Sequence, residues 1–164
     1  MGFSVRVAVI IVREGRILLA QHSKQGSRYW VLPGGRLQNG ESITDCGRRE
    51  LFEEAGLDVR LGNLLYIGEF FGEGFQVLDL FFLGEATSCD TTLGHDPEDT
   101  GRARVLRKVK WHTLDELRKV LLLPESVHRA LIKDWPGGFK RRGVYIGSSK
   151  EGASKDESKT HQEK

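Results

Sequence analysis

Apolar and polar residues alternate in the first part of the chain with the two-residue period of β-strands. β-Branched residues dominate residues 3–12, a glycine turn follows at 14–15, and residues 16–21 return as a second strand. The polar residues 21–28 are predicted to form a loop, and residues 29–32 a short third strand. The pattern therefore predicts a group of strands that leads into a glycine-rich segment.

The pattern in the second part of the chain predicts three more strands and two helices. Residues 57–71 and 75–85 form two strands joined by a glycine turn, and residues 105–111 form another. A short helix is expected over residues 113–117, capped by its threonine, and a longer one over 124–132, with a proline in its first turn. Strands mixed with helices indicate an α+β or α/β chain, and the pattern alone leaves the topology open.

One further helix is predicted between the third and fourth strands. Ser42 followed by Asp45 is a variant of the capping box that starts a helix. Gly56 can adopt the left-handed conformation that ends one. Leu51 and Ala55 share one side of this helix, so we expect them to face the core.

Three glutamates gather on another side of this helix. At 100° per residue, Glu50, Glu53 and Glu54 fall within an arc of roughly 100°. Gly47 lies on the same arc, where its missing side chain leaves room. Arg49, four residues before Glu53, is placed to steady one of the carboxylates.

Two interpretations fit this acidic arc. It can be a solvated helix face, or it can bind a hard divalent cation, which prefers oxygen ligands. Glu50 and Glu54 are one turn apart and repel each other by roughly 0.2–0.5 kcal/mol on an isolated helix. The glycine loop at residues 32–35 favours the cation site, because bare backbone can approach a ligand there.

Composition excludes several classes of partner. The chain has 164 residues and a formal net charge of +2, which predicts one domain and neither a membrane nor a stable nucleic-acid partner. The apolar run 7–12 is too short to span a membrane. Cys46 and Cys89 have no metal-binding or disulfide spacing, so we expect a reducing, cytoplasmic setting.

The helix and its flanking loops resemble the Nudix box, a pattern with nine fixed positions. All nine are matched in this chain: Gly35, Glu41, Arg49, Glu50, Leu51, Glu53, Glu54, Gly56 and Leu57. The resemblance extends over about residues 3–135 and implies an α/β fold, specifically an α/β/α sandwich around a mixed sheet. We expect a Nudix domain over residues 1–147 and a disordered polar tail over 148–164.

The resemblance also implies an activity: Mg²⁺-dependent hydrolysis of a phosphoanhydride in a nucleoside diphosphate linked to another group, or in a nucleoside triphosphate. Mn²⁺ is expected to substitute for Mg²⁺. Glu50, Glu53 and Glu54 are the implied metal ligands, together with the backbone carbonyl of Gly34. Arg49 is expected to orient a glutamate, whereas Glu41 supports the helix.

The general base has more than one candidate. Within the box it is Glu50 or Glu53, and the sequence does not separate them. In some members of the family the base comes from a loop outside the box. Glu98, and less favourably Asp96, is the candidate for that role because the polar loop at residues 87–104 precedes the Trp111 strand.

The substrate is not defined by the sequence. No proline occurs between Pro33 and Pro97, so the proline marker of ADP-ribose hydrolases is absent. The tyrosine marker of dinucleoside polyphosphate hydrolases and the coenzyme A signature are absent as well. Arg28 and Arg36 are candidate phosphate contacts, and Phe71 is a candidate for stacking on a base.

Two other functional classes and one structural choice stay open. Regulatory Nudix domains bind nucleotides without hydrolysing them, but they often lose box glutamates that this chain keeps. Isopentenyl diphosphate isomerases share the fold but need a modified box and a catalytic cysteine, and neither cysteine here is suitably placed. Residues 138–147 form either an extra strand or a contact in a homodimer.

Overall fold

The computed structural model describes residues 2–24, 26–87 and 105–150. The strands in these residues are β1 (Gly2–Arg13), β2 (Arg16–Lys24), β3 (Ser27–Val31), β4 (Gly34–Arg36), β5 (Val59–Gly72), β6 (Phe75–Ala86), β7 (Val105–Thr113) and β8 (Val144–Lys150). The α-helices are α1 (Ile43–Ala55), α2 (Leu114–Leu117) and α3 (Glu125–Asp134). None of these helices is long and apolar enough to cross a membrane.

Strand β1 is the centre of a mixed sheet with the order β3-β2-β1-β6-β5-β8. It pairs in parallel with β6 and antiparallel with β2 and β4. Strand β7 pairs with β2, and β8 pairs in parallel with β5. Because β1 is bordered by β4 as well as β6, the glycine loop before the box helix is fixed to the middle of the molecule.

Two apolar clusters cover opposite faces of this sheet. Alternate residues of β1 point to opposite sides. Ala8 and Ile10 pack with residues of α2 and α3, whereas Val9 and Ile11 pack with the buried side of α1. Helices on both faces of a mixed sheet make the α/β/α sandwich, so the predicted fold class is confirmed.

The loop predicted over residues 21–28 is wrong. Strands β2 and β3 form a hairpin there, in which His22 pairs with Tyr29 and Lys24 pairs with Ser27. Polar composition indicates contact with solvent, and it does not distinguish a loop from a strand at the surface. A hairpin at the surface satisfies the hydrogen bonds of its backbone as well as a buried strand does.

The C-terminal segment forms the extra strand that was one of its two predicted structures. Val144 pairs with Tyr66 and Lys150 pairs with Phe71 of the same chain. Strand β8 includes residues 148–150, three residues past the expected domain boundary. The rest of the predicted tail, residues 151–164, lies outside the described residues.

Candidate active site

Helix α1 begins and ends at the residues that the sequence indicates. The Ser42 hydroxyl accepts a hydrogen bond from the Asp45 backbone N–H at 3.1 Å. Gly56 has a φ of 65°, and its N–H donates to the Phe52 carbonyl at 2.9 Å. Leu51 is fully buried and fixes which side of the helix faces the sheet. The glutamate side is thereby turned towards the glycine loop.

Arg49 connects the acidic side chains around α1. Its Nε and Nη2 donate to the two oxygens of Glu41 at 2.7 and 3.0 Å. Its Nη1 donates to Glu50 at 2.7 Å and to Glu53 at 3.3 Å, which is the contact predicted from the spacing. The hydrogen bonds from Arg49 lower the pKa of Glu41 to about 2. Glu41 therefore stays charged and holds the guanidinium in place.

The glycine loop lies directly against two of the box glutamates. A Cβ at Gly35 would lie 2.1 Å from the carboxyl carbon of Glu50. Gly34 has a φ of 147°, and a Cβ there would lie 2.1 Å from the Val7 carbonyl oxygen. The Gly34 N–H donates to Glu54 Oε2 at 3.0 Å. Both glycines are therefore needed for backbone and carboxylates to come this close.

Glu54 has the most perturbed carboxyl group of the box. Its removal from water raises its pKa to about 8, against the lowering effects of the Arg6 charge and the Gly34 N–H. Glu50 and Glu53 raise it further by repulsion. Such a carboxylate gains from a nearby dication, which favours its charged form.

Arg6 and Asp79 were not identified from the sequence. The two residues are paired across β1 and β6, with Arg6 Nη1 3.6 Å from Asp79 Oδ1. Arg6 Nη2 also donates to the Leu32 carbonyl at 2.7 Å, beside the glycine loop. The sequence did carry a signal for them, because each is a charged residue flanked by apolar residues within a strand.

The donor chemistry of the box fits a hard divalent cation. Glu50, Glu53 and Glu54 supply carboxylate oxygens within one turn of helix, and one arginine serves two of them. Within the described residues, no three carboxylate, histidine or cysteine side chains already converge on one point. The carboxylate oxygens of these three residues that Arg49 and the Gly34 N–H do not contact are the ones left for a cation.

Gly47 has a different role from the one predicted. A Cβ at Gly47 would lie 2.8 Å from Leu61 Cδ2, so the missing side chain makes room for β5. The glycine lets the helix pack closely on the sheet, and it leaves no space beside the glutamates. Gly47 is buried on the side of α1 that also carries Leu51 and Ala55, so its predicted place on the glutamate arc is wrong.

The proposed substrate contacts are spread over the molecule. Arg36 is exposed at the end of β4, and its carbonyl accepts from Arg49 Nη2 at 3.3 Å, so it borders the glutamates. Arg28 is exposed on β3. Phe71 is half-buried and paired with Gln76, and its side chain lies on the sheet face opposite to that of Phe70. Glu98 and Asp96 lie outside the described residues.

Comparison with known proteins identifies the family of this chain. The family model for the NUDIX domain matches residues 2–135. The chain is 32% identical over 130 residues to mouse diphosphoinositol polyphosphate phosphohydrolase 3-alpha, covering 77% of this chain and 74% of that protein. It is 31% identical over 128 residues to the NAD-capped RNA hydrolase NudC of Escherichia coli, covering 78% of this chain and 46% of that protein.

Solved structures of NUDIX hydrolases share the fold of this chain. A NUDIX hydrolase from Nitrosomonas europaea superimposes with a TM-score of 0.64 at 26% identity, covering 85% of this chain and 92% of that one. The chain belongs to the Nudix family, and within it to the hydrolases.

Proposed function

We propose that this chain hydrolyses a phosphoanhydride bond, with Mg²⁺ as cofactor, in a nucleoside diphosphate linked to another group or in a nucleoside triphosphate. One observation carries the proposal: of the three carboxylates on one helix face, Glu50 and Glu53 share a single arginine, and Glu54 bonds to the bare glycine backbone. That arrangement leaves oxygen ligands and negative charge for a cation. Two relatives are named for diphosphoinositol polyphosphate and for NAD-capped RNA, which both contain a diphosphate. Their names support a phosphoanhydride as the bond that this chain cleaves.

In this proposal Glu50, Glu53 and Glu54 hold the metal, with the Gly34 carbonyl as a further ligand. Bound Mg²⁺ neutralises phosphate charge and lowers the pKa of a bound water. Glu41 fixes the guanidinium of Arg49. Arg49 in turn keeps the Glu50 and Glu53 carboxylates in their positions. Mn²⁺ is proposed to substitute, because it accepts the same carboxylate and carbonyl ligands.

Glu53 is the proposed general base among the box glutamates. Its side chain is 55% exposed and has one contact with Arg49 at 3.3 Å, whereas that of Glu50 is 13% exposed and bonded at 2.7 Å. Glu53 therefore reaches an attacking water more easily. Glu98 remains the alternative base, and Glu98→Gln tests it: full kcat in this variant removes the loop from the chemistry.

Arg36 and Arg28 are proposed phosphate contacts, and Phe71 a contact for the base. Arg36 has the stronger support of the two arginines because its backbone already bonds to Arg49. The regulatory alternative is disfavoured, since every box glutamate is present. A cytoplasmic location and a homodimer stay predictions of the sequence.

The test is a hydrolysis assay on a panel of substrates. It includes ADP-ribose, sugar nucleotides, diadenosine polyphosphates, and unmodified and oxidised nucleoside triphosphates, each with Mg²⁺, with Mn²⁺ and with a chelator. We expect turnover of at least one class that stops in the chelator. No turnover of any substrate, combined with tight nucleotide binding, would replace this proposal with the regulatory one.

A further inference from the structure

Arg6 and Asp79 form a charged pair at a place where packing does not require one. They are paired directly across β1 and β6, and their side chains are only 17% and 8% exposed. Their neighbours along the strands are apolar residues. Apolar side chains of similar volume often replace such a buried pair without loss of stability. Packing alone therefore does not explain the presence of this pair.

The guanidinium of Arg6 also holds the glycine loop. Its Nη2 donates to the Leu32 carbonyl at 2.7 Å and lies 3.5 Å from the Gly34 carbonyl oxygen. Its Nη1 faces Asp79 at 3.6 Å. The planar guanidinium of Arg6 thus connects β6, on one side of β1, with the glycine loop on the other side.

The same loop residue contacts a box glutamate. The Gly34 N–H donates to Glu54 Oε2 at 3.0 Å. The connected path runs from Asp79 through Arg6 to the carbonyls of the loop, and from the loop to Glu54. A change in the position of this loop therefore moves the hydrogen bond that orients Glu54.

We propose that Arg6 is a positioning residue, oriented by Asp79, which fixes the Leu32–Gly34 backbone so that Glu54 and the Gly34 carbonyl are held ready for the cation. The inference rests on the proposed metal site. It is distinct from substrate binding, since Arg6 acts on the loop from inside the sheet. Residues of this kind around a metal site typically change metal affinity or activity by roughly 10–100-fold when they are replaced.

A double variant separates positioning from charge. Arg6→Met alone leaves the Asp79 carboxylate without its arginine and removes a positive charge near the glutamates, which by itself favours a bound cation. Arg6→Met combined with Asp79→Leu removes one positive and one negative charge, so the net charge is unchanged. The loop then loses its hydrogen bond, and the loss of the Arg6 charge near Glu54 would by itself strengthen cation binding, so weaker binding reports the loop.

The experiment measures Mn²⁺ affinity by electron paramagnetic resonance titration and hydrogen exchange of the Gly34 amide. We expect the double variant to bind Mn²⁺ roughly 10–100-fold more weakly. Its Gly34 amide should exchange faster, and its stability in urea should match that of the wild type. Arg60→Met with Glu85→Leu is the charge-matched control: that pair also lies directly across two strands, but its side chains are 75% and 68% exposed. We expect the control to leave both quantities unchanged.

Glu54→Gln is measured alongside as the reference for the metal site. If the double variant keeps wild-type Mn²⁺ affinity and Gly34 protection while Glu54→Gln binds Mn²⁺ weakly, the role of Arg6 is overturned and the metal site stands. Wild-type Mn²⁺ affinity in Glu54→Gln would show that the metal site itself is wrong, and the positioning role would fall with it. An equal loss in the Arg60 control would assign the effect to the loss of any cross-strand ion pair and also overturn the inference.

Discussion

Two clusters in this molecule are built around an arginine and carboxylates, and they differ in how well the charges are matched. At α1, Arg49 serves Glu41, Glu50 and Glu53. At the end of α3, Arg141 serves a single carboxylate, Asp134, which also accepts from the buried Tyr66 hydroxyl at 2.7 Å. One cluster has more carboxylates than cations, and the other has every strong acceptor satisfied.

The difference separates a site from a structural clamp. A carboxylate with all its bonds made inside the protein has nothing to offer a ligand, so the α3 cluster only ties the helix to β5 and to the segment that leads into β8. The α1 cluster keeps oxygen atoms and negative charge in reserve. Excess charge of one sign, held in place at a glycine loop, indicates a cation site more reliably than the number of acidic residues does.

The largest expected effect comes from removing charge at the unsatisfied cluster. Glu53→Gln should lower kcat at least a hundredfold, or roughly 3 kcal/mol of barrier, because the variant loses a metal ligand and the proposed base. The protein should stay folded, since this side chain is largely exposed. Steady-state kinetics and a thermal melt measure the two. A fall of only a few-fold would remove Glu53 from the metal site.

A smaller effect is expected from displacing a carboxylate without removing it. In Gly35→Ala the new methyl group would lie 2.1 Å from the Glu50 carboxyl carbon, so that carboxylate must move. We expect kcat to fall roughly 10–100-fold, as for other changes in the surroundings of a metal site. Stability should change little, because the displaced atoms end a flexible side chain.

Gly47→Ala is the control for that variant. Its methyl group would meet the end of the Leu61 side chain at 2.8 Å, away from the glutamates. Any packing cost is offset by the roughly 1 kcal/mol that alanine gains over glycine within a helix. We expect kcat to be unchanged. Equal losses of activity in the two alanine variants would mean that helix position, and not Glu50, controls the rate.

The smallest effect on activity is expected at the α3 cluster, where Arg141 and Tyr66 bond to Asp134. Tyr66→Phe removes a buried hydrogen bond to a charged group, which should cost roughly 1.5–3 kcal/mol of unfolding free energy. Urea unfolding measures that cost, and kcat should stay at the wild-type value. A large loss of kcat in folded Tyr66→Phe protein would make this cluster part of the active site.

The pH dependence of that cost provides a second check. Burial raises the pKa of Asp134, but hydrogen bonds from Arg141 and Tyr66 outweigh it and leave the pKa below the ordinary value of 3.8. A carboxyl group whose pKa is lowered in the folded state contributes stability that is complete above its unfolded pKa. This contribution is lost as the pH falls through the folded pKa. The stability difference between wild type and Tyr66→Phe should therefore be full at pH 7 and shrink below pH 3.8. An equal difference at low pH would assign the cost to packing.

The local structure of the site was predictable because its signals are local. Ser42, Asp45 and Gly56 define both ends of α1 within one helix, and the i, i+4 spacing of Arg49 and Glu53 predicts their contact. The matched box positions supplied the expected fold. The prediction failed over residues 21–28, because polar composition is equally compatible with a hairpin, in which residues 24 and 26–28 are exposed and residues 21–23 are half-buried.

The sequence by itself determined the family, the box helix and the three glutamates, because these depend on residue types at short, fixed spacings. Only the tertiary structure decided which neighbours those residues meet. It placed Gly47 against Leu61, put Phe70 and Phe71 on opposite faces of β5, and brought Arg6 of β1 and Asp79 of β6 together beside the glycine loop. Such contacts join residues far apart in the chain, and they depend on strand order and register, which no local pattern encodes.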